Sequence, residues 1–388
     1  MLTSQILKYL SDTEKAFISQ IAQGVGLSVP TTTKYLEKLE KDGLVRKSGK
    51  VEVSHGRRPV QYRLNEDAAY FIGVDPKKNT LEISICDLTG KIVREFKEDI
   101  PFENTPEMME HICSRCDNMM VGSGIDPEKI KTVAFNLSGR VNPKTGFSHT
   151  VFNFESQDEP LAEILSQRLS RKVLVENDTR AMAYGELHSV IKNRYKDFLF
   201  INIGWGIGLS IIIDGKPYYG MNGYSGEFGH TNAYDNEIMC HCGKKGCLET
   251  VVSGRALCSQ FTERVKKGES SVLARDILKG KSIRDTDIIY AADHDDTLAM
   301  EVIENAGKEL GKHIANLINI FNPEAVIVGG SLGLAGDFFL QALQLSIKRY
   351  SLRLMSKGLD IIQSELGEKA GVTGACLLAR DTYIDNVI

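Results

Sequence analysis

Three cysteines and a histidine form the densest group of potential metal ligands in the sequence. Cys240, Cys242 and Cys247 lie within eight residues of one another, and His230 precedes them. Three thiolates and one imidazole can hold zinc tetrahedrally, and a closed set of four protein ligands is typical of a structural ion. We therefore expect one structural Zn²⁺ per chain, with buried free thiols as the alternative. His241 is a rival ligand, but its position between two ligating cysteines suits the same ion poorly.

The N-terminal 65 residues have the pattern of a helix-turn-helix followed by a two-stranded wing. Apolar residues at helical spacing predict three short helices, and a glycine-containing turn at 24–26 precedes the third. The third helix is expected to follow the N-cap residue Ser28, to bury Val29 and to end near Asp42. Three short helices with a tight turn before the last are typical of DNA-binding heads.

Charge separates this head from the rest of the chain. Residues 1–65 contain 11 Lys or Arg against 6 Asp or Glu, whereas the remaining residues contain 36 against 45. Because DNA is a polyanion, this asymmetry favours DNA binding by the head, with a helical protein-interaction module as the alternative. A recognition helix directs its first residues to base edges, and a basic wing contacts phosphates or a minor groove. The expected DNA-binding residues are Thr31, Thr33, Lys34 and Lys38 in the helix, and Arg57 and Arg58 in the wing.

From residue 66 onward, predicted strands and helices alternate. A β-rich hairpin pattern opens this region near Tyr70, and a similar pattern begins again at Phe198. An opening that occurs twice predicts two related α/β lobes with a ligand cleft between them. The expected domains are the head at 1–65, lobe 1 at 66–195 and lobe 2 at 196–388, with the alternative that the C-terminal helix returns to lobe 1.

The composition is that of an ordinary globular protein, with 42% hydrophobic and 25% charged residues. The N-terminal residues lack the apolar stretch of a signal peptide, and no run of about 18 apolar residues occurs. We therefore expect a cytoplasmic protein without membrane insertion. The eight cysteines of so long a chain do not indicate a disulfide scaffold. Cys113 and Cys116 are expected to be two positions on one helix.

The motif around the metal ligands carries a family resemblance. The sequence reads G-E-x-G-H and then C-x-C-G-x-x-G-C-x-E, which is the full zinc signature of the ROK family of repressors and sugar kinases. The chain resembles this family over nearly its whole length. The resemblance implies a winged head on a two-lobed actin- and hexokinase-like α/β body of the ribonuclease H-like type. It also implies that zinc is bound by His230, Cys240, Cys242 and Cys247.

The same resemblance implies a monosaccharide site. An Asn-Asp pair stands where ROK kinases place a sugar-binding amide and the catalytic base, and two glutamates and a histidine match hydroxyl-binding residues near the zinc loop. Carboxylates and an amide can bind vicinal hydroxyls in a geometry that selects one epimer. Taken alone, Asn-Asp after a strand is more typical of a helix cap. The implied sugar-binding residues are Asn177, Asp178, Glu227, His230 and Glu249.

The nucleotide half departs from the kinase pattern. ROK kinases carry D-x-G-x-T-K after the first strand, where glycines let backbone amides approach ATP phosphates, but this chain reads D-P-K-K-N-T at 75–80. The proline also removes one amide donor. Trp205 replaces a small residue in the second phosphate turn, and Arg180 replaces an asparagine usual in the kinases. Phosphoryl transfer is therefore expected to be lost, with Asp178 remaining as a relic or weak base.

Together these features predict a sugar-responsive transcriptional regulator, a repressor rather than an enzyme. The expected partners are operator DNA, a monosaccharide or sugar-phosphate effector, and further copies of the chain in a homodimer or homotetramer. The main rival is an active ATP-dependent sugar kinase with a DNA-binding head. A third alternative is an assembly module that does not bind DNA.

Overall fold

The computed structural model describes residues 2–50, 60–154, 159–192 and 194–387. The chain divides into two compact units. Unit 1 contains Met1–Met182 and Gly371–Ile388, and unit 2 contains Ala183–Ala370. The winged head thus belongs to the same unit as the first large sheet of the body.

Three helices and a small antiparallel sheet form the winged head. Its elements are α1 (Leu2–Thr13), β1 (Lys15–Phe17), α2 (Ile18–Gly24), α3 (Val29–Lys41), β2 (Val45–Lys50) and β3 (Val60–Leu64). Strand β3 lies between β1 and β2. The Ser28 hydroxyl accepts a hydrogen bond from the backbone N–H of Thr31 at 3.3 Å, which confirms the predicted N-cap of α3.

Val29 corrects one detail of the sequence analysis. We expected this side chain to be buried, but 49% of its surface is exposed. The buried face of α3 consists of Thr32, Leu36 and Leu39. Val29 has the helical spacing of that face, but it occupies the first position of the helix, which the core does not cover.

The remainder of unit 1 alternates strands and helices. Its next elements are β4 (Tyr70–Pro76), β5 (Leu81–Asp87), β6 (Ile92–Glu98), α4 (Pro106–Gly122), β7 (Ile130–Leu137), β8 (Val141–Asn142), β9 (Phe147–Ser148), α5 (Leu161–Leu169), β10 (Lys172–Asn177) and α6 (Asp178–His188), whose last turns lie in unit 2. Cys113 and Cys116 are both buried on α4. Burial raises the pKa of Cys113 to about 11, so these thiols remain protonated and unreactive at neutral pH.

Unit 2 repeats the alternation with more helices. Its elements are β11 (Phe198–Ile203), β12 (Ile207–Ile213), β13 (Lys216–Pro217), α7 (Glu249–Val252), α8 (Gly254–Lys266), α9 (Ala274–Leu278), α10 (Asp285–Ala292), α11 (Thr297–Phe321), β14 (Ala325–Gly329), α12 (Gly330–Gly333), α13 (Asp337–Tyr350), α14 (Arg353–Ser356) and β15 (Asp360–Gln363). None of the helices in the described ranges is long and apolar enough to cross a membrane.

The two large sheets have one topology. The strand order is β6-β5-β4-β7-β10 in unit 1 and β13-β12-β11-β14-β15 in unit 2. In each sheet the first three strands pair antiparallel, and the last two join in parallel. This shared order confirms the two related α/β lobes that the repeated hairpin pattern predicted. It also aligns the carboxyl ends of three strands at one edge of each sheet, where ligands bind in such folds.

The last helix, α15 (Ala370–Asp385), explains why the head is part of unit 1. Leu7 of α1 lies in the same buried apolar cluster as Phe71 of β4 and Ala375 of α15. The Thr3 hydroxyl also donates to the backbone carbonyl of Val387 at 3.0 Å. The head therefore has no separate core, because α15 returns to unit 1 and fills the space between the head and the sheet.

Candidate metal centre and ligand-binding residues

The four predicted metal ligands converge in unit 2. Cys240 Sγ lies 3.6 Å from His230 Nδ1, and Cys242 Sγ lies 3.6 Å from Cys247 Sγ. All four ligand atoms lie within 4.8 Å of one another. Bonds of about 2.3 Å to sulfur and 2.0 Å to nitrogen at tetrahedral angles separate ligand atoms by about 3.5–3.8 Å. The two separations of 3.6 Å match this spacing, and the remaining pairs of ligand atoms lie no more than 4.8 Å apart.

The chemistry of the thiols also suits a cation. Burial, with the neighbouring thiols, raises the pKa of Cys247 to about 12, so thiolate formation there is unfavourable without a positive charge. A divalent ion supplies that charge and stabilises the thiolates that bind it. Gly246 lets the loop close around the ligands, because its φ is +74° and a Cβ there would lie 2.1 Å from the carbonyl oxygen of Tyr234.

Glu249 connects the metal loop to the turn between β11 and β12. One carboxylate oxygen lies 2.9 Å from His241 Nδ1, and the other accepts the backbone N–H of Ile207 at 3.2 Å. Glu249 is 4% exposed, and each of its two carboxylate oxygens has a protein partner. The sequence indicated Glu249 as a sugar ligand and gave no sign of these bonds.

His241 belongs to a second group of potential ligands, with Cys240 and Glu249. Arg255 already places a positive charge there, since its guanidinium lies 3.5 Å from the Glu249 oxygen that His241 contacts. A second cation beside that guanidinium would be repelled. His241 is therefore a partner of Glu249, outside the four-ligand group, in keeping with its poor fit to the same ion.

His230 has one ring nitrogen for the metal and one for another partner. Its Nδ1 faces Cys240, whereas its Nε2 lies 3.8 Å from a carboxylate oxygen of Glu227. Glu227 is the more exposed of the two side chains, at 41%. A histidine that binds a metal through one nitrogen typically donates from the other, which fixes the orientation of the ring. The geometry thus permits His230 to bind a metal and a hydroxyl at once.

In unit 1, Asn177 and Asp178 mark the end of β10 and the start of α6. The Ser138 hydroxyl donates to one carboxylate oxygen of Asp178 at 2.8 Å, and the backbone N–H of Thr179 donates to the other at 2.6 Å. Burial raises the pKa of Asp178, and these two hydrogen bonds oppose that rise. Asn177 donates to the carbonyl of Gly139 at 3.0 Å. The loop after β7 thus orients both side chains, a role for Ser138 that sequence reasoning missed.

Arg180 forms a buried ion pair directly behind these residues. Its Nε lies 2.7 Å from Glu176 Oε1, and the two side chains are only 5% and 6% exposed. Its Nη2 donates to the carbonyl of Val141 in β8 at 3.0 Å. The same Glu176 oxygen accepts the backbone N–H of Asn177 at 2.7 Å. The arginine that departs from the kinase pattern therefore holds β8 against the carboxyl end of β10.

The segment that replaces the kinase phosphate loop is a closed, glycine-free turn. The backbone N–H of Lys77 donates to the carbonyl of Thr80 at 2.8 Å. The Lys77 ammonium lies 2.8 Å from Glu82 and 3.7 Å from Asp75. Asp75 is 5% exposed, and burial raises its pKa to about 6. In unit 2, Trp205 is 38% exposed in the second turn.

The candidate DNA contacts on α3 divide into two kinds. Lys34 and Lys38 are exposed. The Thr31 hydroxyl lies 2.8 Å from the Ser28 hydroxyl, and the Thr33 hydroxyl donates to the carbonyl of Val29 at 2.9 Å. The threonines therefore help to fix the start of the helix. The two wing residues, Arg57 and Arg58, lie outside the described residues.

Comparison with known families agrees with this architecture. A family model described as "ROK family" matches residues 71–382. The chain belongs to the ROK family. A second model, described as "Winged helix-turn-helix DNA-binding", matches residues 2–46. The head and the body thus correspond to two known domains in one chain.

Among curated relatives, ROK repressors match almost end to end. The xylose repressor of Caldicellulosiruptor bescii is 29% identical over 95% of this chain and 92% of its own length. The regulator NagC of Escherichia coli K12 is 28% identical over 95% and 89%. A glucokinase of Halalkalibacterium halodurans is 30% identical over 80% of this chain and 95% of its own length.

Solved structures give the same picture. A ROK family transcriptional regulator, described as a homologue of the E. coli MLC protein, is 27% identical and superposes with a TM-score of 0.84 over 99% of this chain and 96% of its own. A ROK glucokinase from Streptomyces griseus, solved with glucose and AMPPNP, is 29% identical with a TM-score of 0.69 over 80% and 99%. The two-lobed hexokinase-like body is thus shared with both structures, and the alignment with the regulator also includes the winged head.

Proposed function

We propose that this chain is a sugar-responsive transcriptional repressor. Its winged head would bind operator DNA, and its ROK body would bind a monosaccharide or a sugar phosphate. The observation that carries the proposal is the presence of both domains in one chain, at residues 2–46 and 71–382. The xylose repressor and NagC align over both domains, whereas the glucokinase aligns over 80% of the chain.

Zinc is the ion that we propose for the cluster of three cysteines and one histidine, one per chain. The donor set and the 3.6 Å spacings suit it, and a closed site leaves no position for substrate. The ion would stabilise the loop that carries Glu227 and His230. Its role is therefore structural: it would hold the His230 ring so that Nε2 can donate to a sugar hydroxyl.

The sugar ligands that we propose are Asn177, Asp178, Glu227, His230 and Glu249. Support comes from the local geometry of three of them, because hydrogen bonds fix the side chains of Asn177, Asp178 and Glu249 before any ligand binds. Fixed polar groups lose little entropy on binding and discriminate strongly between epimers.

We propose further that the chain does not transfer phosphate. The turn at 77–80 lacks glycine, and its Lys77 ammonium already pairs with Glu82. In unit 2 the Ser331 hydroxyl, just after the Gly329–Gly330 pair, hydrogen-bonds to the carboxylate of Asp285. A carboxylate at that position opposes a nucleotide phosphate, because phosphoryl transfer depends on positive charge and backbone donors around the phosphates.

The rival function is an active sugar kinase with a DNA-binding head. Asp178 favours it, since the environment of this carboxylate raises its pKa as a general base requires. The glucokinase relative points the same way. We rank it second because a base alone does not position a nucleotide.

Contacts within unit 1 offer a route from the body to the head. The Asn136 side chain at the end of β7 donates to the carbonyl of Gly371 at 2.5 Å, at the start of α15. The far end of α15 contacts α1, where Lys8 pairs with Asp385 at 2.5 Å. A sugar that binds more tightly to one arrangement of these elements would shift the DNA-binding equilibrium.

The decisive experiment measures DNA binding and phosphoryl transfer on the same preparation. Selection from a random DNA library gives the operator, and fluorescence anisotropy then follows operator release by a panel of monosaccharides and their 6-phosphates. We expect release by one or a few sugars, no ATP-dependent phosphorylation in a coupled assay, and loss of release without loss of operator affinity in Asp178→Asn.

The matched control is Asp99→Asn, because Asp99 is exposed and lies away from these residues in the sequence. It should respond to the sugar like the parent. Rapid phosphorylation of the bound sugar would establish the kinase instead. If the selection enriches no DNA sequence, the result would favour the alternative that the head is an assembly module that does not bind DNA.

A further inference from the structure

Val29 is the one large apolar side chain that the described residues of the winged head leave exposed. It occupies the first position of α3, and 49% of its surface is exposed. Pro30, the next residue, is exposed as well. A single exposed apolar residue is ordinary on a protein surface. This pair, however, lies on the first turn of the helix that a helix-turn-helix places against base edges in the major groove.

The polar side chains of the same turn are largely engaged within the helix. The Ser28 hydroxyl accepts the backbone N–H of Thr31, and the hydroxyl oxygens of Ser28 and Thr31 lie 2.8 Å apart. The Thr33 hydroxyl donates to the carbonyl of Val29 at 2.9 Å. Because a hydroxyl has only one proton to donate, these bonds leave the turn little donor capacity for base edges. Its exposed surface is mainly the apolar surface of Val29 and Pro30.

Thymine is the base whose major-groove edge suits such a surface. Each base pair presents its own pattern of donors and acceptors in that groove, and the C5-methyl group of thymine is its apolar feature. Val29 ends in methyl groups, and its branched side chain has few rotamers to lose. The ring of Pro30 is also rigid. A rigid apolar surface can therefore cover a methyl group at little cost in conformational entropy.

Exposed lysines on α3 favour DNA as the occupant of this surface. Lys34 and Lys38 are exposed on the helix that begins with Val29. An ammonium group attracts phosphates and can donate to guanine acceptors, but it does not recognise a methyl group. The cationic and the apolar side chains thus match different features of one duplex. Two apolar side chains offer too little area for a stable protein interface, whereas one thymine methyl group needs no more.

We propose that Val29, supported by Pro30, recognises a thymine in the major groove through its C5-methyl group and so determines part of the operator sequence. The inference rests on operator binding by the head, which is part of the proposed function, and it adds a residue and a base. At one or more operator positions, the methyl group of thymine therefore contributes to affinity through contact with Val29.

The test removes the methyl group from the DNA and the side chain from the protein. Uracil is thymine without the C5-methyl group, so the selected operator is synthesised with each thymine replaced in turn by uracil. Fluorescence anisotropy gives the Kd for the full-length parent and for Val29→Ala. In the parent, uracil at one or more positions should raise the Kd about fourfold, the effect of one buried methyl group. In Val29→Ala, which should bind the thymine operator more weakly, the same uracil should raise the Kd less than about twofold.

Val121→Ala is the matched control, because Val121 is 82% exposed on α4, outside the head. It should give the uracil profile of the parent. Circular dichroism of each variant reports that it is folded, as expected for changes of exposed side chains. A parent that tolerates uracil at every position would overturn the proposal. So would a Val29→Ala variant that keeps the sensitivity of the parent, since another residue would then contact the methyl group. A selection that enriches no operator would overturn DNA binding by the head, and this inference with it.

Discussion

The buried ion pair between Glu176 and Arg180 gives the sharpest stability prediction. In Arg180→Met the carboxylate of Glu176 loses its 2.7 Å partner at a site where the two side chains are 5% and 6% exposed. Removing one member of a buried pair costs about 3–5 kcal/mol, because the remaining charge is uncompensated. The Glu176 carboxylate keeps the backbone N–H of Asn177, so we expect the lower end of that range.

The loss of the bond from Arg180 to the Val141 carbonyl adds about 1 kcal/mol. The total expected loss is therefore about 4 kcal/mol in the free energy of unfolding of unit 1. In the double variant Glu176→Gln/Arg180→Met neither position carries a charge, and most of the loss should be recovered. If the loss in Arg180→Met came only from the broken contact and not from the uncompensated charge of Glu176, the double variant would show no such recovery.

The assay is urea unfolding followed by circular dichroism, with hydrogen–deuterium exchange of β10 and α6 to locate the loss in unit 1. Arg168→Met is the matched control. Arg168 pairs with Glu110 and Asp117 but is 35% exposed, so its removal should cost less than about 1 kcal/mol. Equal losses in Arg168→Met and Arg180→Met would refute the reasoning from burial.

Three further predictions concern the metal, the wing and pH. Cys242→Ser should remove zinc, measured by elemental analysis, and lower the melting temperature of unit 2; full zinc retention would contradict the ligand set. Arg57→Ala/Arg58→Ala should weaken operator binding and reduce its dependence on salt, and an unchanged slope of affinity against salt would rule out phosphate contacts by the wing. Burial raises the pKa of Asp75 from 3.8 to about 6, so protonation of this carboxyl favours the folded state. This contributes up to about 3 kcal/mol of stability below pH 4, and the contribution is lost as the pH rises through 6. Asp75→Asn should flatten this dependence in urea unfolding at pH 5 and pH 8, and an unchanged profile would assign the dependence to other groups.

Much of the architecture could be read from local patterns in the sequence. The N-cap Ser28 and the glycine-containing turn predicted α3, since both act within a few residues. The repeated hairpin pattern at Tyr70 and Phe198 predicted two related lobes, and the two sheets have one strand order. The spacing of the cysteines predicted the metal group, and the structure brings its four ligand atoms within 4.8 Å. Each of these signals depends on residues that are neighbours in the chain.

Other features arise only where distant segments meet. The exposure of Val29 depends on where the core ends, although its helical spacing matches the buried face. The bond from Ser138 to Asp178 joins the ends of two parallel strands forty residues apart. In the sequence, Arg180 was only a departure from the kinase pattern. Its hydrogen bond to the Val141 carbonyl depends on the position of β8, which the fold decides.

The place of the head was also decided by tertiary structure. Local patterns predicted that residues 1–65 form a winged helix-turn-helix, because short helices, caps and a basic wing depend on residues close together in the chain. It could not determine that Leu7 packs in one core with Ala375, more than 360 residues away. Apolar residues do not specify their partners, and burial is decided by which surfaces the whole fold brings together. The return of α15 to unit 1 brings Leu7 and Ala375 into one core, and it joins the head to the body.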